Sequence, residues 1–387
     1  MEAIEQSATM AITERARQLK AAGRPTISFG AGEPDFPTPP HIVEAAVKAA
    51  RDPKNHHYTP NAGLPELREA VAAATLRHSN VKVSGGQVLI TNGAKQAVYL
   101  ALAALLDPGD EVLVPAPYWV TYPEATVLSG GVPVPVETTE AAGFKVTVEQ
   151  LDEKLTNRTK LLVFVSPSNP TGAVYSADEV AAIGSWAGER GIWVVTDEIY
   201  QRLVYGTDPA AASIATASEL EDRWVIVNGV AKSYAMTGWR VGWLVGPADV
   251  VKAADKHQSH LTSNVNNVAQ RAALAGLTGP EEPLEEMRQA FDRRRRTMHS
   301  ALNKMPGVTC IEPGGAFYCF PGFEAHMPRF GSAMDLAGWL LEEADVAVVP
   351  GEAFGTNGFA RFSYALGDND LEVGLERVSA AFESIAN

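Results

Sequence analysis

Lys232 lies in the run Ala231-Lys232-Ser233-Tyr234-Ala235-Met236-Thr237-Gly238-Trp239-Arg240. A strand-like segment, Trp224 to Val227, leads to a tight turn expected at Asn228-Gly229, and the lysine follows directly. Arg240 then opens a second apolar segment, Val241 to Val245. Lysine is seldom found among core strands without a task. Taken out of water, its pKa falls and its neutral amine becomes a nucleophile and base. The ordinary alternative is a surface lysine whose stem covers apolar neighbours. The other polar groups on the same framework must decide between the two.

Four further segments bear chemistry-capable residues. Thr91-Asn92-Gly93-Ala94-Lys95-Gln96 joins a strand to a helix start. Free N–H groups there suit a phosphate, although the Walker spacing is missing. Ser166-Pro167-Ser168-Asn169-Pro170-Thr171-Gly172 follows an apolar strand and presents the Asn169 amide on a stiff loop, or is an ordinary turn. Asp197-Glu198-Ile199-Tyr200 places a carboxylate at a strand end, where it either stabilises a protonated ring nitrogen or caps a helix. Gly30-Ala31-Gly32 begins like a dinucleotide fingerprint but lacks the third glycine. Gly32 is either a close backbone approach to a ligand or a simple turn.

The elements that position these residues alternate. Strands are expected at 88–91, 111–114, 161–165, 192–196 and 224–227, with helices between them over 95–106 and from Ser176, where Glu179 completes a capping box. Such alternation means a mostly parallel sheet whose strand C-termini gather ligands. A long helix over 282–304 carries Arg293 to Arg296, read as a solvated or ion-paired face. Short strands (308–311, 316–320, 346–349, 360–364) and helices (333–344, 371–385) follow it. The proline-bearing first 45 residues read as an extended arm, a strand over 26–29 and a loop.

Bulk properties narrow the function classes. The 387 residues exceed one ordinary domain, with 46% hydrophobic and 20% charged residues. A net charge of −14 argues against nucleic acid and anionic membranes as partners. The two cysteines, Cys310 and Cys319, lack metal or scaffold spacing, so no metal site is expected. No signal peptide is read at the start, and no apolar run approaches the roughly 18–20 residues that cross a bilayer. A cytoplasmic protein is the expectation.

A phosphate-ready turn, an asparagine loop, an acidic strand end, a lysine and an arginine thus fall at the ligand edge of one sheet. Pyridoxal 5′-phosphate needs that set: a lysine to carry it, an acid for its ring nitrogen, a donor for its ring oxygen and a phosphate cradle. With Gly229-Val230-Ala231-Lys232, Ala235-Met236, Gly238, Arg240 and Gly242, and the order Asn169, Asp197, Tyr200, Lys232, Arg240, Arg361, the chain resembles the fold-type I pyridoxal-phosphate enzymes. Within them it is similar to class I aminotransferases of the aspartate aminotransferase family, over nearly its whole length.

The resemblance implies an α/β fold: a large domain with a mostly parallel mixed sheet flanked by helices, plus a smaller α+β domain. It implies an N-terminal arm and part of the small domain over 1–45, a large cofactor domain over 46–280, and a linker helix with the rest of the small domain over 281–387. Lys232 would hold the cofactor, Asp197 its ring nitrogen, and Asn169 and Tyr200 its ring oxygen. Arg240 and the N–H groups of Ala94 and Lys95 would hold the phosphate, with Trp119 stacked on the ring. Tyr58 would reach the neighbouring subunit's phosphate, making a homodimer with shared active sites. Arg361 would grip the substrate α-carboxylate, aided by Asn169 and Gly32.

Departures within the family shift the specificity question. Gly229 and Ala231 stand where many members carry phosphate-binding serines. The stretch 257–267 lacks the arginine that enteric-type members lend to the partner site. Lys95 instead matches a lysine that a second branch uses for acidic substrates, and Ser7 and Thr9 align with that branch's substrate-side hydroxyls. The activity implied is transamination of aspartate with 2-oxoglutarate. Prephenate, aromatic or neutral substrates, a β-lyase on the same scaffold, and a non-catalytic ligand-binding protein are the alternatives.

Overall fold

The computed structural model describes residues 8–206 and 210–385. Its centre is a seven-stranded sheet built from β2 (Val88–Thr91), β3 (Glu111–Ala116), β4 (Val132–Glu137), β5 (Thr159–Val165), β6 (Trp193–Asp197), β7 (Trp224–Gly229) and β8 (Gly242–Val245); β1 (Ile27–Ser28) lies elsewhere. The order is β2-β8-β7-β6-β5-β3-β4, and only β8 runs against the rest.

Helices cover both faces, which explains the continuous apolar strands. Leu89, Val112, Val163, Val195 and Val225 join one buried cluster; Val88, Leu113, Leu162, Val194 and Ile226 join the other. Burying one such side chain stabilises the fold by about 1.5–3 kcal/mol.

A second, smaller layer follows the helix Glu282–Leu302. Here β9 (Tyr318–Cys319), β11 (Val349–Pro350) and β12 (Ala360–Ser363) form an antiparallel sheet in the order β11-β12-β9. β10 (Val346–Ala347) pairs in parallel with β1, so chain from near the N-terminus packs with the C-terminal part. The arginine run behaves as an ion-paired face. Arg294 bonds Asp35 and Asp368, and Arg295 bonds Asp292 and Glu312.

Three local expectations need correction. The segment Ala8–Ala21 is a helix rather than an extended arm. Its Ala, Glu, Arg, Gln, Leu and Lys favour helix, and the first proline comes only at Pro25. Residues 308–311 form no strand beyond a single bridge, Thr309 to Gly322. The Asn303 side chain bonds both the N–H and the carbonyl of Cys310 and replaces a ladder. Asn228-Gly229 is the end of β7, not a turn. Gly229 pairs with Gly242; a Cβ on Gly229 would lie 3.0 Å from the Gly242 Cα, and one on Gly242 would lie 2.4 Å from the Ala94 nitrogen, so the first glycine makes room for the neighbouring strand and the second for the helix start.

Candidate active site

The sheet register collects the polar residues on one edge. Val165, Asp197 and Gly229 end parallel strands β5, β6 and β7 side by side, and Thr91 ends β2. Because β8 is reversed, its first residue, Gly242, sits on that same edge, paired with both Thr91 and Gly229. That reversal brings Arg240, just before β8, to the start of the helix Ala94–Leu105. Gly93 precedes this helix at φ 82°, and a Cβ there would lie 2.4 Å from Arg240 Nη2. Arg240 Nη1 donates to the Thr237 carbonyl at 2.9 Å. The N–H groups of Ala94 and Lys95 find no acceptor among the described residues. A guanidinium over two free N–H groups at a helix N-terminus is an anion cradle.

Asp197 is buried. Its Oδ2 accepts from Tyr122 Oη at 2.9 Å and its Oδ1 from the Ile199 N–H at 3.1 Å. It ends β6 and caps no helix. Burial raises its pKa to about 6, offset in part by these bonds and by Lys232. An acid in this setting ionises readily once a cation faces it. Burial likewise lowers the Lys232 pKa to about 8, helped by Arg361 and Arg240 and opposed by Glu33 and Asp197. Lys232 Nζ donates to the Gly32 carbonyl. Glu33, the next residue, accepts from Thr237 Oγ1 at 2.7 Å and ties that loop to the lysine loop.

Arg361, on β12, is only 1% exposed. Its Nη1 donates to Asn169 Oδ1 and its Nη2 to the Gly30 carbonyl, both at 2.9 Å, while Nε has no partner. It lies 4.4 Å from the Tyr318 ring centroid and 5.2 Å from that of Phe354. A Cβ on Gly32 would sit 3.9 Å from Arg361 Nη2, so the loop backbone runs beside the guanidinium. Among the described residues no carboxylate pairs with it. Burying an unpaired cation is costly unless an anionic ligand completes it.

Lys95 Nζ stands 4.9 Å from the Trp119 ring centroid, and burial with Arg240 lowers its pKa. Tyr200 is buried, and its hydroxyl shares a 2.8 Å hydrogen bond with that of Tyr318. Tyr58 is not gathered in: its side chain is 91% exposed. Ser7 lies outside the described residues, as does the side chain of Thr9. Sequence reasoning missed Tyr122 and Tyr318. Each is an aromatic on a buried element, and nothing in the sequence separates its hydroxyl from a core tyrosine's.

A family model described as aminotransferase class I and II matches residues 24–378. The chain belongs to that family. Over 382 residues it is 58% identical to an aspartate aminotransferase of Streptomyces avermitilis, covering 97% of this chain and 94% of that protein. It is 44% identical to a probable aspartate/prephenate aminotransferase of Aquifex aeolicus, covering 99% and 97%. The solved structure of Thermus thermophilus aspartate aminotransferase with maleate superposes with a TM-score of 0.93 at 40% identity, covering 98% and 97%. This chain is therefore a pyridoxal-phosphate-dependent aminotransferase of fold type I. The residues present fit that cofactor. The empty-handed N–H groups beside Arg240 suit its phosphate, and the buried Asp197 carboxylate suits a protonated ring nitrogen.

Proposed function

We propose that the chain exchanges the amino group between L-aspartate and 2-oxoglutarate by a ping-pong route, giving oxaloacetate and L-glutamate. The observation that carries this reading is Arg361, a buried guanidinium with an idle Nε and no carboxylate partner among the described residues, near a lysine of lowered pKa. Arg361 takes the substrate α-carboxylate, with Asn169 and the Gly32 backbone beside it. Lys95, exposed and with its ammonium over the Trp119 ring, supplies a second cation for the distal carboxylate. Two cations suit a dicarboxylic substrate, and the Thermus relative was solved with maleate, a dicarboxylate.

Lys232 is the residue that carries the cofactor. Asp197 would hold the ring nitrogen, Asn169 and Tyr200 would serve the ring oxygen, and Trp119 would stack on the ring. Arg240 with the N–H groups of Ala94 and Lys95 would hold the phosphate. When bound, the cofactor supplies an electron sink for the pair left on the substrate's α-carbon. The Lys232 amine, kept partly neutral near pH 8 by burial, would take the proton from that carbon and deliver it to the cofactor carbon that the lysine had held, and would run the transfer in reverse with the second substrate.

The exposed Tyr58 supports a homodimer in which this side chain completes the partner's phosphate site. The pairing of β1 with β10 supports a small domain made from 1–45 and 281–387, set against a cofactor domain over 46–280. We place the protein in the cytoplasm; among the described residues no helix is long and apolar enough to cross a membrane.

The name of the Aquifex relative favours a second reading, in which prephenate is an amino acceptor. Purified holoenzyme titrated with aspartate must lose the visible absorption band of its lysine-held cofactor. 2-Oxoglutarate and prephenate are then compared for the rate at which they restore it. Faster return with 2-oxoglutarate supports the first reading and faster return with prephenate the second. A band indifferent to aspartate sinks both.

A further inference from the structure

Tyr318 touches both halves of the site. Its ring lies under the Arg361 guanidinium, 4.4 Å from centroid to Cζ, and its hydroxyl is 2.8 Å from that of Tyr200. The two tyrosine rings meet at 78°, and both are buried. A Cβ on Gly32 would stand 3.6 Å from the Tyr318 hydroxyl, so loop backbone rather than bulk solvent faces it. Each hydroxyl owns one proton, and only one proton fits between the two oxygens. A cation over an aromatic face draws on its electrons and makes that phenol the better donor. With Tyr318 taken as the donor on this ground, the Tyr200 proton is left to point elsewhere. Hydrogen bonds in such a chain reinforce each other in a low-dielectric interior.

We propose that Tyr318 is a positioning residue that relays the charge state of Arg361 to the Tyr200 hydroxyl, so that arrival of a substrate carboxylate weakens Tyr200's donation to the cofactor's ring oxygen. The inference rests on the reading that Tyr200 faces that oxygen and Arg361 the carboxylate. The charged groups facing the pair are Arg361 and Asp197, with Lys232 Nζ 6.0 Å from the Tyr200 ring centroid. Tyr318 pairs through β9 with Ser363 of β12, two residues from Arg361, so the stack is fixed by sheet register.

The test is the pH midpoint of the holoenzyme's visible absorption band, with and without saturating succinate as an unreactive dicarboxylate. Weaker donation leaves the ring oxygen more basic and favours the protonated form, so Tyr318→Phe raises the midpoint of the free enzyme by roughly half to one pH unit, the worth of one hydrogen bond. The further rise on adding succinate is smaller in Tyr318→Phe than in the parent. Both differences disappear in a Tyr200→Phe background. An unchanged midpoint, or a Tyr318→Phe shift that persists without the Tyr200 hydroxyl, overturns the relay. A parent band that does not titrate, or one retained in Lys232→Ala, overturns the reading of Lys232 and the relay with it.

Discussion

Arg361 Nη1 donates to Asn169 Oδ1 at 2.9 Å, a bond that ties the small sheet to a loop of the large one. Arg361 lies within the small antiparallel sheet, and Asn169 stands on the loop that leaves β5 of the large one. The guanidinium is thereby aimed with its Nε free. Arg361→Lys keeps the charge but loses the fork. kcat/KM for aspartate should fall by roughly a hundredfold or more, mostly through KM. The visible band of the bound cofactor should survive. Steady-state kinetics beside an absorption spectrum read this directly, and an unaltered KM would argue against Arg361 as the carboxylate anchor.

Lys95 should decide the side chain accepted rather than the reaction. Replacing it by alanine removes one charge-assisted contact. Aspartate turnover should drop roughly ten- to hundredfold further than alanine turnover. Equal losses for the two donors would leave Lys95 only its backbone N–H.

A shared site has a signature in hybrid dimers. Mixing Tyr58→Phe chains with Lys232→Ala chains concentrates both lesions in one site if Tyr58 serves the partner. The other site is then intact, and it should retain cofactor as tightly as the parent. If Tyr58 served its own chain, the only site with a lysine would carry the tyrosine lesion and leak cofactor faster. Cofactor release from the hybrid, followed by fluorescence, separates the two arrangements.

Glu198 adjoins Asp197 and is fully buried, bonded by the hydroxyls of Ser79 at 3.0 Å and of Ser213. Burial raises its pKa from 4.5 to about 7. The folded chain therefore binds this proton more tightly than the unfolded one. The stability it contributes is fully present below pH 4.5 and is lost as pH rises to about 7. Relative to the parent, Glu198→Gln should gain stability across that window, by roughly 3 kcal/mol or less, and then level off. Denaturant melts from pH 4 to pH 8 measure it. A stability difference independent of pH would mean the carboxylate stays ionised throughout.

Much of this architecture is legible because its signals are local. The apolar runs at β5 and β6 have no amphipathic alternation, which only a sheet covered on both faces permits. The Ser176–Glu179 capping box is where the sequence puts it, with both reciprocal bonds present. Arg240 was readable as a residue but not as a geometry. Only the reversed β8 carries it to the helix start. Tyr122 and Tyr318 were not legible, because a buried hydroxyl gains meaning only from its neighbour in space, here 75 and 118 residues away. The helix over Ala8–Ala21 was obscured by prolines that follow it rather than interrupt it.

The central claim is that Lys232 holds the cofactor and moves the substrate's α-proton. Its most direct test is to reduce the holoenzyme with borohydride, digest it and locate the cofactor by mass spectrometry. The predicted result is one modified peptide bearing the added mass on Lys232, and its loss when aspartate is added before reduction. Modification at another lysine, or none at Lys232, would contradict it.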